Sequence, residues 1–284
     1  MLNIKISNLF HIHKFEKITG ICSIIRQFTD NHTFHYHTLV DIMPRLYLLN
    51  QPEYKDIDEI KLLFSSEPTP VEHFFIDKLA PKNIKITVVQ NPDRLYSLDQ
   101  FIYPTCLTRR GAAYLPLAYL DYFRDRVLPK RESKKINRIF ISRANTRWRR
   151  MINEDELFEA LKAHGFNKYY PEHMSIEEQI ELFYDADYVV GIYGSAQTNI
   201  IFSHQIKVLE IFTTEYFLPN FYYLAKSLGH TYGYYHGYCP GAGGKKKHIS
   251  KNDINSIYRA DFRVNVSEVI ECLLELEKQH RQTH

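Results

Sequence analysis

The sequence predicts an α/β protein of two domains, the second built on a parallel sheet. Three observations carry that reading. With 284 residues, 44% of them hydrophobic, the chain can bury two cores of about 100 to 150 residues each. From Lys135 onward, short β-branched runs alternate with amphipathic helical stretches, the pattern of right-handed strand–helix–strand crossovers. Between the halves lies PKRESKK (129–135), polar, charged and opened by a proline, which places a boundary there. The expected division is 1–130, 131–260, and a C-terminal helix in 261–284.

The first half is the less regular. HTFHYHTLVDIMPRLYLL (32–49) reads as a helix that tolerates or bends at Pro44, IKLLFSS (60–66) and NIKITVV (83–89) as strands, and AAYLPLAYLDYFRDRVL (112–128) as a helix ended by Pro129. In the second half RIFIS (138–142) is a strand. INEDELFEALKAHGF (152–166) is a helix with Leu157, Leu161 and Phe166 close to one face. NKYYP (167–171) is a short strand. SIEEQIELFYDA (175–186) opens on Ser175 with Glu178 three residues later, a capping box. DYVVGIY, AQTNIIFSH, KVLEIF, LPNFYYLAKSLGH and TYGYY continue the alternation of strand and helix. The tail SEVIECLLELEKQHR (267–281) is a helix whose Val269, Leu273 and Leu276 are expected to pack back on the first domain.

Composition excludes several function classes. Cys22, Cys106, Cys239 and Cys272 show no CxxC spacing, so neither a zinc site nor a disulfide scaffold is expected. A net charge of +3 is too small to imply nucleic-acid binding, although basic residues cluster at 143–150 and 245–247. No run of about 18 apolar residues and no signal-peptide pattern appears, which makes a cytoplasmic location, with possible peripheral membrane association, the expectation.

Open α/β sheets bind ligands beyond the carboxyl ends of their strands. GIYGSAQTN (191–199) halts a buried strand at Gly194-Ser195 before a helix that Ser195 is placed to cap, leaving backbone N–H groups for an anion. Arg143, Arg147, Arg149 and Arg150 follow the preceding strand, Glu172 follows the next, and Glu210 sits inside VLEIF. Arginines and carboxylates of this kind suit the phosphates and ribose of a nucleoside diphosphate; at least two of the four arginines are expected to be solvated. Glu210 requires a ligand or an arginine, because a lone buried carboxylate is costly. His37 and Asp41, four apart, share a helix face as a candidate base pair. GAGGKKK (241–247) lacks the spacing of a phosphate-binding loop and reads as a basic loop placed to close over an anion.

The stretch RIFISRANTRWRRMINEDELFEALKAHGF…YYPEHMSIEEQIELFYDADYVVGIYGSAQTNIIF…VLEIF, together with HYHTLVDIMPRL, resembles glycosyltransferase family 61, over roughly Phe34 to Tyr235. The resemblance implies a GT-B-like fold, two Rossmann-like domains facing across a cleft, and an inverting transfer from a sugar nucleotide with no cofactor and no obligatory metal. It implies that Arg143, Arg149, Glu172, Tyr193, Gly194, Ser195, Thr198, Asn199 and Glu210 bind the donor, a UDP-sugar first among candidates. It also implies catalytic roles for His37 and Asp41, and a glycan or lipid-linked glycan as acceptor. Tyr193 replaces a histidine of the family pattern and Phe34 an asparagine; on those departures rests the alternative of a non-catalytic nucleotide- or glycan-binding protein, or a scaffold for polysaccharide assembly.

Overall fold

A computed structural model of the protein describes residues 16–26, 35–89, 95–108, 113–213, 217–239 and 260–282, the side chains of 280–282 excepted. Phe34 and the basic segment 241–247 therefore lie outside the described residues. The chain divides into two compact units, residues 1–33 with 41–106 and residues 34–40 with 107–284. Each unit has its own parallel sheet, and the pair of sheets fits a Rossmann-like, GT-B-like α/β class.

The first unit contains β1 (Glu16–Ser23), α1 (Pro44–Leu49), β2 (Ile60–Phe64), α2 (Pro70–Leu79), β3 (Ile84–Val88) and β4 (Tyr96–Ile102). Its strands run parallel in the order β3-β2-β1-β4. Apolar IKLLF supplies the buried strand β2, whereas β1 and β4 are mostly exposed and polar, which is why no periodicity announces them. Thr69 and Glu72 close a capping box on α2, with Pro70 at its first turn. The buried Arg26 guanidinium binds both oxygens of Ser66, at 3.1 and 3.0 Å, lies 3.5 Å from Glu72 and sits over the Phe64 ring. A buried charge is tolerable only when it is paired in this way.

The stretch read as one helix bending at Pro44 is broken instead. His35–His37 is α-helical, Thr38–Ile42 is a π-helical turn, and Pro44 opens the new helix α1. Proline cannot donate to the preceding turn and clashes with the carbonyl four residues back, so it restarts the helix.

The second unit contains α3 (Leu117–Val127), β5 (Asn137–Ile141), α4 (Glu154–Lys162), β6 (Asn167–Tyr169), α5 (Ile176–Tyr184), β7 (Ala186–Ile192), β8 (Lys207–Phe212), α6 (Asn220–Leu228), β9 (Thr231–His236) and α7 (Val266–Gln282). Its parallel order is β6-β5-β7-β8-β9. β8 is buried along its whole length and β7 nearly so, as continuous apolar runs in a parallel sheet must be. The Ser175–Glu178 capping box forms as expected on α5. Between β7 and β8 the predicted helix is a 3₁₀ helix, Ser195–Phe202. His230 ties it down, donating from Nε2 to the Ile200 carbonyl and accepting the Ile206 N–H at Nδ1. Burial pushes this imidazole down to about 3, so it stays neutral.

Two expectations about domain limits are corrected. Residues 107–130 belong with the second unit: α3 begins only after Pro116, and its Phe123 stacks on Phe202. The tail helix α7, expected on the first domain, packs on the second sheet. Val269, Leu273 and Leu276 join Leu157, Leu161, Leu209 and Ile211 in one core, and a Cβ on Gly233 would lie 2.8 Å from Leu276. Bare backbone at Gly233 is what lets the helix close on the sheet. Among the described residues, no helix is long and apolar enough to cross a membrane.

Leu273→Ala is expected to destabilise the second unit by about 2–5 kcal/mol, read as a fall in urea midpoint at unchanged slope; a wild-type midpoint would show that α7 is not part of that core.

Candidate functional site

β5 ends in Ser142 and Arg143, and a buried carboxylate fixes the loop that follows. Glu154, at the first turn of α4, accepts from Ser142 Oγ at 2.5 Å and from the Arg143 N–H at 3.2 Å, and Lys168 lies 3.3 Å away. The Ser142 hydroxyl accepts in turn from the Ala144 N–H. Thr146 donates to the carbonyls of Arg143 and Trp148, and Arg143 Nη2 reaches the same Trp148 carbonyl at 3.2 Å. The loop is thus tied both to the helix behind it and across itself, and the Arg143 guanidinium is directed at the end of β7.

There it meets Gly194, where an added Cβ would stand 2.1 Å from Arg143 Nη1. Only glycine allows the guanidinium to lie against this backbone. One residue earlier, the Tyr193 ring lies under Arg149, 5.1 Å from the guanidinium carbon to the ring centre. Arg149 has φ of +58°, a left-handed conformation that costs a non-glycine residue on the order of 1 kcal/mol. Of the four arginines, these two converge on the turn after β7. Arg147 stacks on Trp148, and Arg150 is held by Asp261 at 2.6 Å; both are exposed, as expected of at least two of the four.

Two cavities adjoin at Ser195. The first, about 380 Å³, spans the loops after β6, β5 and β7 and includes His35, Ser142, Arg143, Thr146, Glu172 and Gln179 in its wall. The second, about 340 Å³, includes Tyr36, His37, Arg149, Tyr193, Gly194 and Phe221. The strand order β6-β5-β7-β8 sets them side by side along the carboxyl edge of the sheet, where ligands of open α/β sheets bind. A larger cavity, about 900 Å³, lies beside β9 and α7 and contains none of the proposed site residues. Among the described residues, no group of three His, Cys, Asp or Glu side chains is placed to hold a metal ion.

Of the residues singled out in the sequence, Arg143, Arg149, Glu172, Tyr193, Gly194 and His37 line one of the two cavities, and Ser195 lines both. Ser195 does not cap the helix: the cap position is Gly194, and no side chain bonds there. Thr198 and Asn199 are fully buried and line neither of the two cavities. Asp41 falls in the first unit while His37 falls in the second, and a π-helical turn replaces the α-helix that put the two on one face. Asp41 lines neither of the two cavities.

Among the described residues, Glu210 lines none of these cavities and pairs with no arginine. It is fully buried, and Tyr232 donates to its Oε2 at 2.5 Å. Burial pushes its carboxyl up to about 8, against a smaller opposing effect of the Tyr232 hydrogen bond, so it is held mainly as the neutral acid at pH 7. The sequence signal, a carboxylate inside an apolar strand, was real, but protonation and a phenol take the place of a salt bridge.

Sequence reasoning missed His35, Gln179, Thr146 and Glu154. The first two bond through Asn199, His35 Nε2 to Oδ1 at 2.5 Å and Asn199 Nδ2 to Gln179 Oε1 at 2.7 Å. No motif spacing links residues 35, 179 and 199; only the fold does.

A model of the family described as glycosyltransferase 61 matches residues 35–209, well over half of the chain and including every cavity residue named above except Phe221. No curated protein matches.

Glu210 gives a pH test with a definite sign. Its folded value, about 8, exceeds its ordinary 4.5, so the native state keeps a proton that the unfolded state releases, and stability falls as pH rises from about 4.5 to about 8. Glu210→Gln is expected to gain stability over the wild type toward pH 8, on the order of a few kcal/mol. The two should converge near pH 5 in thermal denaturation; parallel pH profiles would show that Glu210 does not titrate so.

Proposed function

The chain belongs to glycosyltransferase family 61, and from that premise we propose that it transfers a sugar from a nucleotide donor to a hydroxyl of a surface polysaccharide or lipid-linked glycan. UDP-sugars are the first candidates as donor. The transfer inverts the anomeric centre and requires no metal. One observation carries the reading: two arginines converge on the Tyr193-Gly194 turn, beside the residue at which two cavities adjoin. A diphosphate at this junction leaves one cavity for the nucleoside and one for the sugar. The first, with Glu172, Thr146 and Gln179 in its wall, offers partners for ribose and base. The second, with His37, Tyr193 and Phe221, offers an apolar face and a histidine to a sugar ring.

In the transfer, the acceptor oxygen bonds to the anomeric carbon as the bond from that carbon to the β-phosphate oxygen breaks. The electron pair leaves on the diphosphate, whose growing charge Arg143 and Arg149 stabilise. The acceptor proton passes to a base, assigned to Asp41 with His37, four residues before it in the chain, as its partner or replacement; of the two, His37 is at a cavity wall. The guanidinium groups do the work that a divalent cation does in metal-dependent transferases. The replacement of the family's histidine by Tyr193 bears on the same turn, where the phenol ring supports Arg149.

The first test is thermal stabilisation by UDP, GDP, CDP and TDP with and without EDTA. A ligand that binds only the folded state at 100 times its Kd adds about 2.7 kcal/mol; a shift with one nucleoside diphosphate that survives EDTA is expected, and no shift with any would favour the scaffold reading. Gly194→Ala is expected to displace the Arg143 guanidinium and lower kcat/KM on the order of 100-fold, with the unfolding midpoint little changed. Wild-type turnover in that variant would remove Arg143 from the mechanism.

A further inference from the structure

His35 stands at the end of a chain of hydrogen bonds whose directions can be read from its far end. The Met174 carbonyl can only accept, so the Gln179 atom 3.1 Å from it is the amide Nε2. That fixes Gln179 Oε1 toward Asn199, which must present Nδ2 to it, at 2.7 Å. Asn199 then turns Oδ1 to the imidazole, at 2.5 Å from Nε2, and an amide oxygen can only accept. His35 therefore carries its proton on Nε2.

In the neutral ring the other nitrogen is a bare acceptor. Burial pushes His35 below its ordinary value, the Asn199 hydrogen bond opposing it more weakly, so the neutral form holds at pH 7. Nδ1 has no partner among the described residues, and the ring forms part of the wall of the first cavity. The charged groups in that wall are Arg143 and Glu172. Asn199 is fully buried and Gln179 nearly so, so two buried amides serve to hold one histidine in one tautomer, the arrangement by which supporting residues orient a functional imidazole.

We propose that His35 is a specificity-determining residue of the first cavity, presenting Nδ1 as a fixed neutral hydrogen-bond acceptor to an O–H or N–H donor of the bound nucleoside. This rests on the reading of that cavity as the nucleoside site. A neutral acceptor does not attract phosphate, so its contribution is selectivity among nucleosides rather than charge attraction. Two groups of a uridine nucleotide supply the required donor: the ribose hydroxyls and the imino N–H of uracil, which cytosine lacks.

The test has two arms. In the free protein, long-range ¹H–¹⁵N NMR of labelled histidine reads the tautomer directly. The Nε2–H form is expected for His35 at pH 7, and the Nδ1–H form, a mixture or the imidazolium would overturn the proposal. In the second arm the affinities of UDP, 2′-deoxy-UDP, 3′-deoxy-UDP and CDP are measured for the wild type and for His35→Phe. The wild type should bind at least one of the three altered nucleotides about three- to tenfold more weakly than UDP, the worth of one neutral hydrogen bond, and His35→Phe should close that gap while retaining UDP binding. Loss of selectivity against the deoxy nucleotides assigns the donor to ribose, and loss against CDP assigns it to the base. Equal weakening of all four, or none, would overturn the inference while leaving the proposed function standing. Failure of the wild type to bind any nucleoside diphosphate would overturn both.

Discussion

The geometry of the candidate site hangs on the Glu154 carboxylate. One oxygen takes the Ser142 hydroxyl and the other the Arg143 N–H, with Lys168 alongside to balance the charge. A carboxylate buried to this degree is costly unless its lone pairs are filled, so the residues that fill them are held in place. Arg143 is positioned by its backbone, before its side chain reaches Gly194. Without that anchor a long, flexible guanidinium would pay its rotamer entropy at the moment of binding; with it, the cation is set in advance at the end of the sheet.

The same logic of prepayment applies to the neighbouring strain and burial. Arg149 holds a left-handed backbone conformation, and the ring beneath it is a buried tyrosine. Gln197 lies over Gly191 so closely that a Cβ there would meet its Oε1 at 2.2 Å, and its amide atoms are buried with no hydrogen-bond partner among the described residues. Such local costs persist where the surrounding structure over-determines them, and they cluster at functional sites. Here they concentrate around the one turn on which both arginines converge.

Much of the second unit was legible because buried parallel strands read as unbroken apolar runs, as in DYVVGIY and KVLEIF, and because Ser175 and Glu178 cap a helix by a local rule. The strands of the first unit with polar faces, EKITGICS and YSLDQFI, carry no such mark, and their pairing is a long-range fact. At the site, the arginines, Glu172 and the Gly-Ser turn were readable because position after a strand predicts position at a sheet edge. Glu210 was misread because spacing tells nothing of protonation. Glu154 and His35 were invisible for another reason: one looked like an ordinary first-turn acid, and the other acquires its partner, Asn199, only when distant segments meet.

The packing of α7 across β8 and β9 has a consequence for the order in which the molecule is made. Its core residues, Val269, Leu273 and Leu276, follow every strand of the sheet they cover. On a ribosome adding about 5–20 residues per second, the face of β7 and β8 that awaits them stays without this cover for about 3–13 seconds after β8 has been made. During that interval Leu209 and Ile211 present apolar surface on a nascent chain, the kind of surface chaperones hold. The core of the second unit is therefore completed only once α7 has been made.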